Sequence, residues 1–356
     1  MYLNLIFPPF IISFLLSVTI TPIIIFIAKK LKIIDDPKTH KHPAIIHTKP
    51  IPRAGGAPLF IAIFITSLFL MTKNLAYWGM FTAGLIALIV GVIDDKYDIS
   101  RYFRFITNII CAIIIIASGI TMPSFITSPF GGILHFNKIY FAFNILNLKI
   151  IIHLADLIAL FWIVWIMNML NWSKGVDGQM PGILAISAFT IGLLSLRFPV
   201  LDNKSISAAY LSFAIAGGAI GFLIYNFHPA KIFPGYGTTA VYLLLAAASM
   251  LSSAKIATGF IVMAIPLIDG TFTIFRRIAS GRSPVWGDRK HLHHMFLKLG
   301  YSQSQIAIFY WVITLILGIF ALSLSGKLKI FAIIFLIFVF LGFLLFLHLL
   351  LDKNEK

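Results

Sequence analysis

Eleven mainly apolar stretches dominate this chain, at roughly 8–28, 54–72, 76–93, 105–121, 151–170, 182–198, 206–226, 238–253, 256–275, 306–324 and 329–350. A helix of about 20 apolar residues crosses the hydrocarbon of a bilayer. Helices and closed barrels are the structures that satisfy their own backbone there. The expected fold class is therefore an all-α polytopic membrane protein, a bundle of about 11 transmembrane helices forming one integral membrane domain over residues 1–356. Composition agrees: 60% of residues are apolar, 11% are charged and mean hydropathy is +0.98, values foreign to a water-soluble core. The first stretch has no preceding basic residue and no small-residue cleavage site, and it contains Pro8 and Pro9, so it reads as a retained span.

Charge sets the expected orientation. The chain carries 28 Lys plus Arg against 12 Asp plus Glu, a net +16. Placing the segment after the first span in the cytoplasm puts the N-terminus outside and the C-terminus inside. Only Lys73, Lys138, Lys149, Arg197, Lys204, Lys255, Lys327 and Lys329 then lie on the outer side, as the positive-inside rule requires. The outer segment near 122–150, with Pro123, Pro129, Gly131 and Gly132, reads as a hairpin or an interfacial segment. Glu355 is the only glutamate, so carboxylate chemistry falls to Asp, and the lone Cys111 excludes an internal disulfide and a Cys-based metal site.

The inner face collects the polar residues in five segments, 29–53, 94–104, 171–181, 227–237 and 276–305. The first leads through His47, Pro50, Pro52 and Arg53 into Gly55 and Gly56, which permit close approach to a ligand or a neighbouring helix; a basic stop-transfer loop is the plainer reading. The second holds Asp94, Asp95, Lys96 and Asp98. Adjacent carboxylates repel, which a Mg²⁺ ion or a proton-accepting role relieves, unless this is simply a solvated helix end. Asp95 and Asp98 share a face if the helix continues. The third runs from Asn168 through Asn171, Lys174 and Gly175 to Asp177 and Gly178, with donors for phosphate and acceptors for a hard cation; its amides are equally able to bind neighbouring helices. The fourth, from Asn226 to Thr239, offers glycines and a helix start to an anion. The fifth carries Arg276, Arg277, Arg282, Asp288, Arg289, Lys290, His291, His293 and His294. Without Cys or a nearby Glu, this density of cations suggests phosphate groups better than Zn²⁺. Asp156 and Asp269 lie in or near apolar stretches, where a carboxylate is costly.

In this order the motifs H-x-x-P-I-P-R-x-G-G (from His47), Asp94 to Asp98, N-F-x-P-A-K-I-F (from Asn226) and G-R-S-P, D-R, H-L-H-H (from Gly281) resemble those of the polyprenyl-phosphate N-acetylhexosamine-1-phosphate transferases of the glycosyltransferase 4 family. The resemblance covers essentially the whole chain and is closer to the GlcNAc-1-phosphate branch than to the phospho-MurNAc-pentapeptide branch. It implies transfer of a HexNAc-1-phosphate from a UDP-sugar to a polyprenyl phosphate, with UMP released, at the cytoplasmic face of a bacterial-type inner membrane. It implies Mg²⁺, with Mn²⁺ as an alternative, and a homodimer as a permitted assembly; no nucleic-acid partner is expected. By the same resemblance Asp94, Asp95 and Asp177 are catalytic, and Asn171, Asp95 and Asp177 hold the metal. His47, Arg53, Lys96, Asn168, Lys174, Arg282, His291, His293 and His294 bind substrate.

Two departures stand out. Where the family reads D-G-x-D-G this chain has Lys174-Gly175-Val176-Asp177-Gly178, and where it reads F-x-G-D-x-G this chain has Phe233-Pro234-Gly235-Tyr236-Gly237, so Tyr236 replaces the usual Asp ligand. The local charge changes by about +3, too much for an unaltered Mg²⁺ site. Three function classes follow: an active transferase with an altered cation site, a scaffold that binds lipid phosphate or nucleotide sugar, and a transporter relaying ions through Asp156 and Asp269. The last lacks paired broken helices and leaves the inner segments unexplained.

Overall fold

In the computed structural model, which describes residues 2–38, 47–122, 125–127, 132–145, 148–197, 201–251, 256–284 and 288–354, the chain is predominantly helical. The helices are α1 (Leu3–Lys30), α2 (Gly56–Leu70), α3 (Leu75–Tyr97), α4 (Arg101–Ala117), α5 (Leu154–Trp172), α6 (Gln179–Ser195), α7 (Asn203–Asn226), α8 (Thr239–Met250), α9 (Ile256–Val262), α10 (Ala264–Ala279), α11 (Leu292–Lys298), α12 (Gln303–Ser323) and α13 (Lys327–Asn354). Among the described residues six helices, α1, α3, α5, α7, α12 and α13, are long and apolar enough to cross a membrane, and α9 with α10, bent by 79°, forms either a broken seventh span or a re-entrant loop. The other apolar stretches of the sequence fall on α2, α4, α6 and α8, which are shorter. The chain is a multi-pass membrane protein.

The core follows from which helices are apolar all round. Every residue of α8 is buried, as expected of a helix with no polar face, and α3, α5 and α7 pack around it. Small residues let α1 and α7 approach closely: Gly217 lies against the Phe10 carbonyl, and Gly221 against the Phe14 carbonyl and Ser17. At the periphery, large apolar side chains point outward, with Phe69 74% and Phe338 72% exposed. In water such a surface would aggregate; against lipid tails it is the expected exterior.

Short strands complete the ends of the bundle. β1 (Ile34–Asp35) pairs antiparallel with β2 (Ile51–Pro52), β3 (Phe125–Thr127) with β4 (Ile133–His135), and β5 (Tyr140–Ile145) with β6 (Leu148–His153). The segment after α4 thus folds as two hairpins; Pro123, Pro129 and Gly131 lie outside the described residues, as do 39–46 of the first polar segment and 285–287 of the fifth. Asp156 caps α5 by accepting the His153 N–H at 2.9 Å, within a reciprocal capping box. Its carboxylate thus serves the helix start.

Candidate active site

The polar segments converge because backbone joins them. Gly55 and Gly56 donate N–H groups to the Phe233 and Pro234 carbonyls at 3.0 and 2.9 Å, and Phe233 N–H returns to the Pro52 carbonyl at 2.8 Å. The close approach expected of Gly55-Gly56 is to this neighbouring segment. A Cβ at Gly56 or Gly91 would collide with the backbone at Gly237, so α2, α3 and the turn at Tyr236–Thr238 meet where side chains are absent. His47 lies on the same junction, its ring 4.9 Å from that of Phe233 and its Nε2 3.3 Å from the Asp35 carbonyl.

Asp94 and Asp95 end α3 inside this junction, and both are buried. Asp95 accepts the Tyr236 N–H at 2.7 Å and the Gly237 N–H at 3.4 Å, with Arg53 Nε 3.5 Å away. The anion held by the glycine-containing turn is therefore the protein's own carboxylate. Asp94 Oδ2 accepts Arg104 Nη1 at 3.0 Å, while its Oδ1 is buried with no hydrogen-bond partner. The expected pairing of Asp95 with Asp98 does not form: α3 stops at Tyr97, and Asp98 takes a left-handed φ of +47° and is exposed. Lys96 is also exposed, over the Tyr97 ring.

Lys174 reaches the same place from the segment after α5. Its Nζ donates to the Gly235 carbonyl at 2.6 Å and stands 5.9 Å from the centre of the Tyr236 ring. Burial pushes the ammonium's pKa down, and the Asp95 charge pulls it back up. Arg104 stacks 5.2 Å from the other partner of this arrangement, the same Tyr236 ring, whose hydroxyl accepts Asn108 Nδ2 at 3.1 Å. Arg104 and Asn108 escaped the sequence reading as site residues, although an Arg and an Asn four apart on an otherwise apolar helix mark one polar face.

Asp177 is engaged elsewhere. Its Oδ2 accepts the Ala230 N–H at 3.1 Å and lies 2.8 Å from His228 Nδ1, and its own N–H donates to Gln303 Oε1. Asn226 seals this second junction by accepting the Gly178 N–H and donating to the Ile232 carbonyl. Asn168 turns back to the Val164 carbonyl of its own helix at 2.7 Å, and Asn171 Oδ1 is buried without a partner.

The fifth segment joins through Gly175, whose missing Cβ leaves room for the His293 ring. His291 and His293 stack with ring centres 5.7 Å apart, and His293 and His294 lie 4.2 Å apart. Asp269 orients this cluster: His291 Nδ1 is 2.9 Å from its Oδ2, and Leu292 N–H donates to its Oδ1 at 3.1 Å. Burial pushes the His293 imidazolium well down and the His294 one down to about 4, with the neighbouring His291 adding to both. Arg276 and Arg277 bind Asp288 Oδ2 at 2.9 and 3.0 Å. Burial raises the Asp288 pKa, but these two cations and the Lys290 N–H outweigh it and hold the carboxyl at about 2. Arg282 is exposed, with its N–H on the Arg277 carbonyl.

The donor set does not suit the Mg²⁺ that the sequence resemblance implies. Mg²⁺ needs near-octahedral oxygens, whereas Asp95 and Asp177 already receive N–H donors, Asp94 is paired with Arg104, and the Lys174 charge acts on Asp95 and Asp94. Among the described residues no three His, Cys, Asp or Glu side chains converge as a metal site.

A sequence profile described as glycosyl transferase family 4 matches residues 77–253. The chain is 30% identical over 346 residues to the probable undecaprenyl-phosphate N-acetylglucosaminyl 1-phosphate transferase of Bacillus subtilis, covering 94% of this chain and 89% of that protein. It is 31% identical over 303 residues to the decaprenyl-phosphate N-acetylglucosaminephosphotransferase of Mycobacterium tuberculosis, covering 75% and 71%. A phospho-N-acetylmuramoyl-pentapeptide-transferase of Borrelia garinii is 29% identical over 345 residues, with 88% and 93% covered.

Proposed function

Since this chain belongs to glycosyl transferase family 4, we propose that it transfers GlcNAc-1-phosphate from a UDP-sugar to a polyprenyl phosphate, releasing UMP as the first membrane step of cell-envelope glycan assembly. The observation that carries this reading is the convergence of Arg53, Asp94, Asp95, Arg104 and Lys174 at one end of an apolar bundle. Both substrates are anions, and one is anchored in lipid. A charged centre at a membrane boundary is the place where they meet.

The reaction asks mainly for positioning and charge neutralisation. A phosphomonoester has its second pKa near 6, so the acceptor already carries a nucleophilic oxygen at neutral pH. That oxygen bonds to the β-phosphorus of the UDP-sugar; the bond from β-phosphorus to the bridging oxygen breaks, and its electron pair leaves with UMP. Arg53, Arg104 and Lys174 receive the phosphates, Asp94 and Asp95 hold these cations in place, and His291, His293 and His294 stand beside the Lys174 segment to meet the diphosphate. The names of the relatives favour GlcNAc and undecaprenyl or decaprenyl carriers. The same reading includes eleven membrane segments, a C-terminus on the cytoplasmic side and a site facing the cytoplasm of a bacterial inner membrane.

Purified protein in detergent with undecaprenyl phosphate and UDP-GlcNAc is expected to release UMP. Asp95→Asn, which keeps the side-chain shape but removes the charge holding Arg53 and Lys174, should reduce the rate at least about 100-fold. The exchange of two acidic positions for Lys174 and Tyr236 favours one alternative, a scaffold that binds without transfer. Tight UDP-GlcNAc binding with no UMP from any UDP-HexNAc would select it.

A further inference from the structure

Lys174 is built into its position. Ser173 follows the end of α5, Gly175 is pinned by the His293 ring, and Asp177 is fixed by His228 and the Ala230 N–H. Between these anchors the ammonium has, among the described residues, one direct acceptor, the Gly235 carbonyl at 2.6 Å, and feels the charges of Asp95 and Asp94. Gly235 itself has a φ of +66°, and a Cβ there would strike the Asp95 carboxylate. The turn is thus shaped so that its carbonyl faces Lys174 while its following N–H groups face Asp95. An ammonium has three donors, and the Gly235 carbonyl takes one.

The carboxylates around it are already matched by cations. Arg53, Arg104 and Lys174 stand against Asp94 and Asp95, and Arg53 also lies 3.9 Å from Asp35. A divalent ion at this point would face two guanidinium groups and the ammonium, with Asp94 Oδ2 held by Arg104, both Asp95 oxygens taking backbone N–H donors and Asp35 lying 3.9 Å from Arg53. The ring of Tyr236 has Arg104 and Lys174 at 5.2 and 5.9 Å from its centre, and its hydroxyl is held by Asn108. Among the described residues singled out for this site, the buried oxygens without a hydrogen-bond partner are Asp94 Oδ1 and Asn171 Oδ1; they come from the ends of different helices and amount to one carboxylate oxygen and one amide. That is too poor a set for an ion that dehydrates reluctantly.

We propose that Lys174 is the resident cation of this centre, standing where the sequence resemblance puts Mg²⁺, and that transfer by this chain requires no divalent metal at that position. The inference rests on the transferase reading. In the step, the acceptor phosphate oxygen forms the new bond to the β-phosphorus as the bridging oxygen departs with its electron pair on UMP, and no proton has to move. The two remaining Lys174 donors and the Arg104 guanidinium meet the charge that develops on the departing phosphate.

The test uses the full chain in detergent with undecaprenyl phosphate and UDP-GlcNAc, assayed in EDTA and in excess Mg²⁺. UMP release in EDTA at a rate within about twofold of that in Mg²⁺ is expected. Lys174→Met should lose at least about 100-fold with no recovery in Mg²⁺, and Lys174→Arg, which keeps the charge, should retain more activity than Lys174→Met. Release that EDTA abolishes and Mg²⁺ restores would overturn the inference while leaving the transferase reading intact. If neither condition yields UMP, the transferase reading fails, and Mn²⁺ binding followed by electron paramagnetic resonance decides the metal question by itself. No stoichiometric Mn²⁺ is expected on the wild-type chain, and one bound ion is expected after the paired changes Lys174→Asp and Tyr236→Asp. Stoichiometric binding by the wild type that Asp95→Asn removes would contradict the inference.

Discussion

At the scale of single residues, the buried histidines carry a cost that pH exposes. His294 titrates near 4 in the folded chain because it is buried beside His291 and Arg289, with Asp269 and Asp288 opposing only weakly; in the unfolded chain it titrates near 6.5. Between those values the unfolded chain binds a proton that the folded chain refuses. The stabilisation is complete above about pH 6.5 and is lost as pH falls toward 4, on the order of 3 kcal/mol for this residue. His293 adds to the trend in the same direction. Thermal unfolding followed by tryptophan fluorescence should therefore fall in midpoint on acidification through this window, and His294→Gln should flatten the fall. An unchanged slope in the variant would remove His294 from the explanation. Residue types also show what the sequence disclosed. Asp94, Asp95, Arg53 and Lys174 were visible as polar residues bordering apolar runs, and all four meet. Arg104 and Asn108 were hidden because their partner, Tyr236, lies 128 residues beyond Asn108 in the chain. Arg276 and Arg277, whose cluster of charge suggests phosphate groups, share the Asp288 carboxylate, a partner 12 and 11 residues further along the chain.

At the scale of elements, the site depends on a junction of backbone with backbone. The first polar segment and the turn at Tyr236–Thr238 are joined by hydrogen bonds from Gly55, Gly56 and Phe233, and α3 enters the same contact at Gly91. Gly56→Ala places a methyl group against the Gly237 backbone, which cannot retreat without pulling on the Asp95 hydrogen bonds. Overpacking of this kind costs about 1–3 kcal/mol. The variant should show a lowered unfolding midpoint together with reduced UMP release; full activity at a lowered midpoint would mean that the junction supports the fold but not the site. Periodicity could place the helices but not the bend: Val262 and Ala264 lie in one apolar run, yet α9 and α10 diverge by 79°. Nor could it show that α8, at 12 residues, is enclosed by its neighbours on every side, since an apolar run facing lipid and one facing protein read alike.

At the scale of the whole molecule, the proposed orientation makes a labelling experiment direct. Cys111 is the only cysteine and is fully buried, so the chain offers a low background for single-cysteine probes. In cells, Arg282→Cys should react with a membrane-impermeant maleimide only after the membrane is opened, whereas Lys204→Cys should react from outside. The reverse pattern would invert the bundle and place the charged centre on the wrong side for a nucleotide sugar. Hydropathy makes the membrane class and the positions of most helices legible in the sequence. The assembly of the centre is not, because it needs contacts between segments far apart in the chain, such as Lys174 with Gly235 and Gly175 with His293.

The most direct measurement is the fate of the lipid. Undecaprenyl phosphate incubated with the detergent-solubilised chain and UDP-GlcNAc should appear by mass spectrometry as the undecaprenyl diphosphate-GlcNAc product, in amounts equal to the UMP released. Unchanged undecaprenyl phosphate in the presence of bound UDP-GlcNAc would contradict transfer and leave the charged centre as a binding site alone.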